Sequence, residues 1–439
     1  MRSRLTVALG RTARLAARVR GGGQGGTAFP GLIMERTDPG FLERTLGRLP
    51  LGVVVVSGTN GKTTTTKMAV QLLRDQGLKV FTNRTGSNFV RGVLASLLTE
   101  VDAAGNLDAD IAVLELDEAH AVHFVARVRP RACLLLNVMR DQLDRFGEID
   151  YTASLLHSVA RATSDVVVLN GDDPRLAAPA FLEGVTARVV SFGTGEDLSS
   201  LFLSDDDLRT GQPGPRAQPG DGETPGSRVS LEAINGQRAT VRVDGVDHEV
   251  DFAIPGVHNL LNACAALGVV LEVLGEDADL PGLLTTLGTV QAAFGRGEVL
   301  TLDGRPVQLS LVKNPAGFRM GLLSAASQAQ DGEVVVVAIN DEYADGRDMS
   351  WLWDVDFAAL RAGGVAVVTG VRAWDMALRL RYDDVEVADV EPDLRKAVAL
   401  MRRTAADADR PMRIFTTYTA MLALRSILGE MTDVEEVMS

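Results

Sequence analysis

The chain has 439 residues, 46% hydrophobic and 23% charged, which supplies apolar material for two or three domain cores and excludes a disordered or collagen-like chain. Lys and Arg total 44 against 58 Asp and Glu, a formal charge of −14; so acidic a chain does not wrap nucleic acid, although local loops can still bind nucleotides. The only two cysteines, Cys133 and Cys264, can form neither a zinc ribbon nor a disulfide framework, and their apolar neighbours predict buried free thiols in a reducing compartment.

Residues 1–34 carry six arginines and no acidic residue. This composition suits an amphipathic arm at an anionic membrane surface, a transit segment, or a solvated or subunit-contacting helix. No uninterrupted apolar stretch reaches transmembrane length, so any membrane contact is expected to be peripheral.

From residue 51 the pattern alternates between strand and helix. Residues 53–57 are too continuously apolar for a one-sided strand and predict a buried parallel one, followed by a helix over 62–76. Further strands are predicted at 79–82, 111–116, 132–137, 166–170 and 187–192. Such a series builds a doubly wound α/β sheet. The pattern breaks at 193–227, where a Pro/Gly-rich stretch predicts a flexible insertion. Alternating segments at 228–234, 239–243 and 248–252 predict antiparallel strands turning at Asn235-Gly236, and a long helix follows over 258–275. A second α/β series begins near 295–300. Its strands are predicted at 307–312, 333–339, 365–369, 385–388 and 412–415, and its helices at 318–329, 374–381, 394–404 and 418–428.

The strongest motif is Ser57-Gly58-Thr59-Asn60-Gly61-Lys62-Thr63-Thr64, placed between a buried strand and a helix. Glycines let backbone N–H groups approach phosphate oxygens, and a helix N-terminus favours negative charge. Lys62 would reach the β- and γ-phosphates, and Thr63 would offer its hydroxyl to Mg²⁺. Val56 stands where the general phosphate-loop pattern has its first glycine. Glu115 closes a strand in L-E-L-D-E-A, where a carboxylate faces the ligand crevice, with Asp117 and Glu118 beside it.

G-T-N-G-K-T-T resembles the ATP loop of the Mur ligase superfamily, whose members phosphorylate a carboxylate with ATP and let an amine attack the acyl phosphate. The resemblance continues in order. Glu115 matches the metal-binding glutamate. The segment 137–147 matches N-x-x-x-D-H-L-D-x-H-G, with Gln142 in place of the histidine. His258-Asn259-Leu260-Leu261-Asn262 matches the H-N-x-x-N segment facing the nucleotide, where Asn259 has the amide geometry to bond adenine. Arg296 matches the arginine of G-R-x-E, which can meet ATP phosphate at the domain junction. A lysine for carbamylation is absent, because none lies between Lys79 and Lys313.

The segments K-N-P-A-G-F from Lys313 and N-D-E-Y-A-D-G-R-D-M-S-W-L-W-D from Asn340 are similar to those of the MurT family, the ligase subunits of lipid II isoglutaminyl synthases. That resemblance implies ATP and Mg²⁺ as cofactors, lipid II as substrate and a GatD-like glutaminase as partner in a heterodimer at the cytoplasmic side of the membrane. It implies substrate binding by Lys313 and Asn314. It also implies an aspartate that completes the partner's catalytic triad, Asp348 first and Asp354 second. The four-cysteine zinc ribbon common in such proteins is missing, so no zinc is expected. Three domains are expected. They are an Arg-rich arm and lead-in (1–50), a Mur-ligase-like ATP-binding domain with a parallel sheet (51–297), and a smaller Rossmann-like α/β domain that binds the partner (298–439). The alternatives are a stand-alone muramyl or folylpolyglutamate-type ligase and a nucleotide-dependent scaffold without turnover.

Overall fold

A computed structural model describes residues 2–20, 28–83, 88–140, 149–198, 201, 202, 204, 207, 227–291, 296–328 and 332–432. The readings made for 141–148, including Gln142, and for most of the 193–227 insertion lie outside these residues.

The chain opens with helices α1 (Arg2–Arg20), α2 (Ala28–Thr37) and α3 (Phe41–Leu46). Val7, Met34, Phe41 and Leu46 are buried in one core layer with Val93, Leu94 and Leu97, so the arginine-rich segment is folded onto the body. Strands and helices then alternate: β1 (Val53–Ser57), α4 (Lys62–Asp75), β2 (Val80–Thr82), α5 (Val90–Glu100), β3 (Ile111–Glu115), α6 (Glu118–Val125), β4 (Ala132–Leu135), α7 (Ile149–Ala162), β5 (Val166–Asn170), α8 (Pro179–Leu182) and β6 (Arg188–Thr194). Next come β7 (Ser227–Asn235), β8 (Arg238–Val243) and β9 (Val246–Asp251), then α9 (Val257–Leu274) and α10 (Leu280–Thr289).

Among the described residues these strands form one nine-stranded sheet in the order β2-β3-β1-β4-β5-β6-β7-β8-β9. Its pairs are parallel from β2 to β7 and antiparallel from β7 to β9. The valine run of β1 follows from this placement. Val54 and Val56 enter the layer built with α9, while Val53 and Val55 enter the opposite layer with α2 and α5. A strand buried on both faces has no polar side to alternate with.

The second sheet holds β10 (Arg296–Leu302), β11 (Arg305–Leu311), β12 (Val334–Ala338), β13 (Val365–Thr369), β14 (Val387–Val390) and β15 (Met412–Thr416), in the order β10-β11-β15-β12-β13-β14. It is flanked by α11 (Pro315–Gln328), α12 (Ala373–Tyr382), α13 (Leu394–Ala408) and α14 (Tyr418–Gly429). Two details depart from the sequence reading. Strand β10 was read only as a junction segment, yet Asp303 (φ 51°) and Gly304 (φ 76°) turn it into an antiparallel hairpin with β11. Both central residues at positive φ is the geometry an Asp-Gly pair accommodates. The strand expected at 385–388 begins at Val387, because Asp384 (φ 57°) still belongs to the preceding turn.

Helix α9 is long and apolar enough to cross a membrane, but 72% of its apolar window is buried as the central helix of one core layer. Its one buried acid, Glu272, takes hydrogen bonds from Arg188 on β6 and Arg228 on β7. Burial pushes this carboxyl up, but the two guanidinium groups outweigh that and hold it below the usual range. The ion pairs tie α9 to the far half of the sheet. Glu272→Ala is therefore expected to lower unfolding stability by roughly 2 kcal/mol, seen as a lower urea midpoint at unchanged slope. An unchanged midpoint would contradict this role.

Candidate active site

Strand β1 lies between β3 and β4, with Val56 in register with Glu115 and Ser57 in register with Leu135. The chain leaves β1 toward one neighbour and later returns to the other. The carboxyl ends of these three strands therefore open a crevice where ligands bind in α/β sheets. Each strand contributes to it: the loop Gly58–Gly61 follows β1, Glu115 ends β3, and Asn137 and Met139 follow β4.

The loop is held as a cradle. Thr59 N–H donates to the Asn137 carbonyl at 3.1 Å, and Asn60 N–H donates to Asn137 Oδ1 at 2.8 Å. Asn137 Nδ2 returns a bond to the Asn60 carbonyl at 3.1 Å. Thr59 Oγ1 exchanges bonds with the backbone of Met139 at 3.0 and 3.1 Å. Gly61 turns the chain into α4 at φ 85°, and a Cβ there would lie 2.5 Å from Asn262 Oδ1. Only glycine satisfies both the dihedral and the space.

Thr63 and Thr64 stand in the first turn of α4 and are buried. Thr63 Oγ1 donates to Glu115 Oε1 at 2.8 Å. Glu115 is fixed by Asn83, whose amide accepts from its N–H at 2.9 Å and donates to its carbonyl at 2.8 Å. A hydroxyl and a carboxylate converge here beside a phosphate cradle. That donor set fits Mg²⁺, which takes one or two protein oxygens and completes its shell with phosphate and water. Among the described residues no cluster of three or more His, Cys, Asp or Glu side chains is arranged for a metal.

Lys62 is buried, and its ammonium donates to the carbonyls of Gly58 and Thr59 and pairs with Glu118 Oε2 at 3.1 Å. The ammonium is thus held at the loop by oxygens that incoming phosphate would compete with. Asp117 sits beside it. Burial raises its carboxyl above the usual range, opposed by Lys62 and Lys313.

The second sheet closes the cradle from the other side. Lys313 Nζ donates to the Thr59 carbonyl at 3.3 Å, and Asn314 Nδ2 donates to Asn60 Oδ1 at 3.0 Å. Asn314 also accepts the Gly317 N–H at 2.8 Å, which caps α11. These two residues were read as substrate contacts, and the structure brings them to the phosphate loop. Between the sheets lies a cavity of about 190 Å³, lined among others by Asn60, Gly61, Asn259, Gln308, Lys313 and Arg413. Asn259 is buried in its wall and donates to the Pro255 carbonyl at 2.6 Å, so part of its amide shapes the start of α9. Arg296 begins β10, and its side chain lies outside the described residues.

The acid-rich loop before β13 forms a second constellation. Asp348 Oδ1 accepts the Ser350 N–H at 2.9 Å and starts a 3₁₀ turn over Ser350–Asp354. Hydrogen bonds from Ser350 hold its carboxyl below the usual range. Asp354 is half exposed and stands 3.8 Å from Arg140, on the segment after β4. Sequence reasoning missed the residue that fixes this loop. Arg379 of α12 is buried, donates to the Leu352 carbonyl at 3.1 Å and to that of Val355, and pairs with Asp383. It also lies 5.3 Å from the Trp353 ring centroid and 5.2 Å from that of Phe357. One arginine among 39 carries no sequence signal for such a role. Arg413 was missed for the same reason; it is buried in the cavity wall and paired with Glu333 at 2.5 Å.

Asp173 was also missed. It accepts the N–H groups of Val138 at 2.6 Å, Arg175 at 2.9 Å and Leu176 at 3.2 Å, fixing the segment that carries Met139. Burial pushes its carboxyl up to about 6 despite those bonds. The folded protein therefore keeps a proton that the unfolded chain has released between pH ~4 and ~6, and stability falls as pH rises through that window. Asp173→Asn is expected to gain stability relative to the native protein across it, by up to ~3 kcal/mol, in melting curves taken along the window. Curves that stay parallel would contradict the assignment.

Comparison with known proteins places this geometry. Residues 56–270 match the family model of the Mur ligase middle domain, and residues 311–421 match that of the MurT ligase C-terminal domain. The MurT subunit of the glutamine-hydrolyzing lipid II isoglutaminyl synthase of Staphylococcus aureus is 30% identical over 91% of this chain and 92% of its own. That of Streptococcus pneumoniae is 28% identical over 94% and 95%. The fold is shared with a MurF ligase from Thermotoga maritima solved in complex with ADP, at a TM-score of 0.67 and 19% identity over 90% of this chain and 83% of that one. Identity at this level along nine-tenths of both partners decides the matter: this chain belongs to the MurT family of Mur-ligase-fold, ATP-dependent ligases.

Proposed function

We propose that this chain is the ligase subunit of a glutamine amidotransferase that converts the D-glutamate of lipid II to D-isoglutamine at the cytoplasmic face of the membrane. The observation that carries the reading is the closure of the phosphate loop by Lys313 and Asn314, which begin the MurT-type carboxyl-terminal segment. In this reading residues 51–297 bind ATP, and 298–439 orient the acceptor and meet the partner.

A carboxylate is a poor electrophile, so its α-carboxyl oxygen attacks the γ-phosphorus and ADP leaves. The product is an acyl phosphate. Ammonia then attacks the carbonyl carbon, phosphate departs with the former carboxyl oxygen, and the nitrogen sheds a proton. The N–H groups of Gly61 and of the start of α4 cradle the phosphates, while those of Thr59 and Asn60 stay on Asn137, and Lys62 leaves Glu118 for the transferring phosphoryl group. Thr63 and Glu115 would hold Mg²⁺, which would offset charge on the phosphates. Lys313 approaches the same loop from the acceptor side. Asn259 faces adenine with the amide hydrogen not used by Pro255, and Arg296 meets phosphate at the junction.

The nucleophile must be neutral ammonia, which calls for a protected source. Cys133 and Cys264 do not supply it: burial pushes both thiols up to about 12, so neither is a thiolate near neutrality. Glutamine hydrolysis then belongs to a GatD-like partner. Asp348, kept ionised by Ser350, is the first candidate to orient the partner's histidine, and Asp354 is the second.

The test is reconstitution with a GatD-like glutaminase, ATP, Mg²⁺, glutamine and lipid II, reading by mass spectrometry the replacement of OH by NH₂. The product should require both chains. Lys62→Ala should lower kcat/KM by ~10²–10³-fold. Amino-acid addition by this chain alone would transfer the assignment to a solitary ligase, and absence of any product would sink the proposal.

A further inference from the structure

Helix α1 has two apolar faces, and the fold uses one. Thr6, Val7 and Gly10 are buried, with Gly10 seated against Leu98 and Met34. Leu5 is 63% exposed, Leu9 39% and Leu15 66%, and Ala8, Thr12 and Ala16 between them are exposed too. Positions 5, 8, 9, 12, 15 and 16 form one continuous helical stripe. Three exposed leucines on a single stripe are more than scattered surface residues.

The charge around the stripe identifies what it fits. The chain carries −14 overall, yet residues 1–34 hold six arginines and no acid. Arg4 is exposed beside the stripe, and Arg11, also exposed there, donates one guanidinium N–H to the Val101 carbonyl at 2.9 Å and keeps the others outward. A polyanionic surface is repelled by most of this protein and attracted here. An apolar stripe edged by arginines on an acidic body matches the boundary of an anionic bilayer, where leucines enter the acyl edge and guanidinium groups meet lipid phosphate.

The orientation is productive. Thr6 bonds Asp38 at 3.4 Å while Gly10 meets Met34, so α1 and α2 run antiparallel and Leu15 stands level with Phe29, itself 47% exposed. At that end Gly31 lies so close to α5 that a Cβ would come within 2.0 Å of the Arg91 carbonyl. One turn away, the Asn88 carbonyl accepts the Asp117 N–H at 3.1 Å, at the rim of the phosphate crevice. The exposed stripe thus ends beside the opening of the site.

We propose that the outer face of α1 docks this protein on an anionic membrane surface and presents the crevice to it. The proposal deepens the reading of a lipid-linked substrate, but its test uses none. The full chain would be sedimented with phosphatidylcholine vesicles and with mixed phosphatidylcholine–phosphatidylglycerol vesicles. Binding is expected to the mixed vesicles only, falling with added salt and at least ~10-fold weaker in Leu5→Gln/Leu9→Gln/Leu15→Gln, whose melting temperature and ADP affinity should stay unchanged. In a separate variant, Leu9→Trp, bromine-labelled acyl chains should quench the new indole. Equal or absent binding to both vesicle types, native-like binding by the triple variant, or an unquenched Trp would overturn the proposal. So would a concentration-dependent dimer that the triple variant abolishes, since the stripe would then belong to a second copy. Because the vesicles contain no lipid II, failure here leaves the amidation reading intact, and the reverse also holds.

Discussion

Strand β1 fixes almost everything that matters at the site. Its neighbours β3 and β4 both follow it in the chain but flank it on opposite sides in the sheet, and their carboxyl ends lie beside its own. The register that sets Val56 opposite Glu115 is what lets Thr63, in the first turn of α4, reach that carboxylate. A slip of one residue in β3 would turn Glu115 to the other face and separate the two oxygens that suit Mg²⁺. The valine run of β1, buried on both faces, makes such a slip costly. Core packing and chemistry are thus one constraint here.

Electrostatics is local in this protein. A chain of net charge −14 with five lysines brings two of them, Lys62 and Lys313, to one loop from two different sheets. Both donate to the Thr59 carbonyl, and Glu118 and Asp117 stand close by. The arrangement gathers two cationic groups at the loop proposed to cradle phosphate, and oxygens of the protein hold them there. The same division recurs at the surface, where residues 1–34 carry six arginines and no acid.

The legible parts of the sequence were those with a local physical signature. The continuous valines predicted β1 and the Gly-Lys-Thr motif was placed between that strand and a helix, where the structure has it; Glu115 was placed at a strand end, and its bond to Thr63 is what the fold adds. Residues that act through three-dimensional packing were not legible. Arg379, Arg413 and Asp173 are ordinary letters in the sequence, and only the folded chain shows them buried against loops they hold. Strand β10 was not legible from periodicity, although Asp303-Gly304 is a recognisable hairpin turn that pairs it with β11. The arginines of α1 were legible as charge. The exposed leucine stripe beside them needed the docked face to be known first.

The proposed reaction turns on transfer of phosphate to a carboxylate within this cradle. The most direct measurement supplies lipid II with ¹⁸O in the D-glutamate α-carboxyl, together with the glutaminase, glutamine and ATP, and determines the label in the phosphate released. An acyl phosphate predicts one ¹⁸O in inorganic phosphate for each amide formed, and none with Lys62→Ala. Amide formation with unlabelled phosphate would contradict the mechanism, because the departing oxygen would then have left by another route.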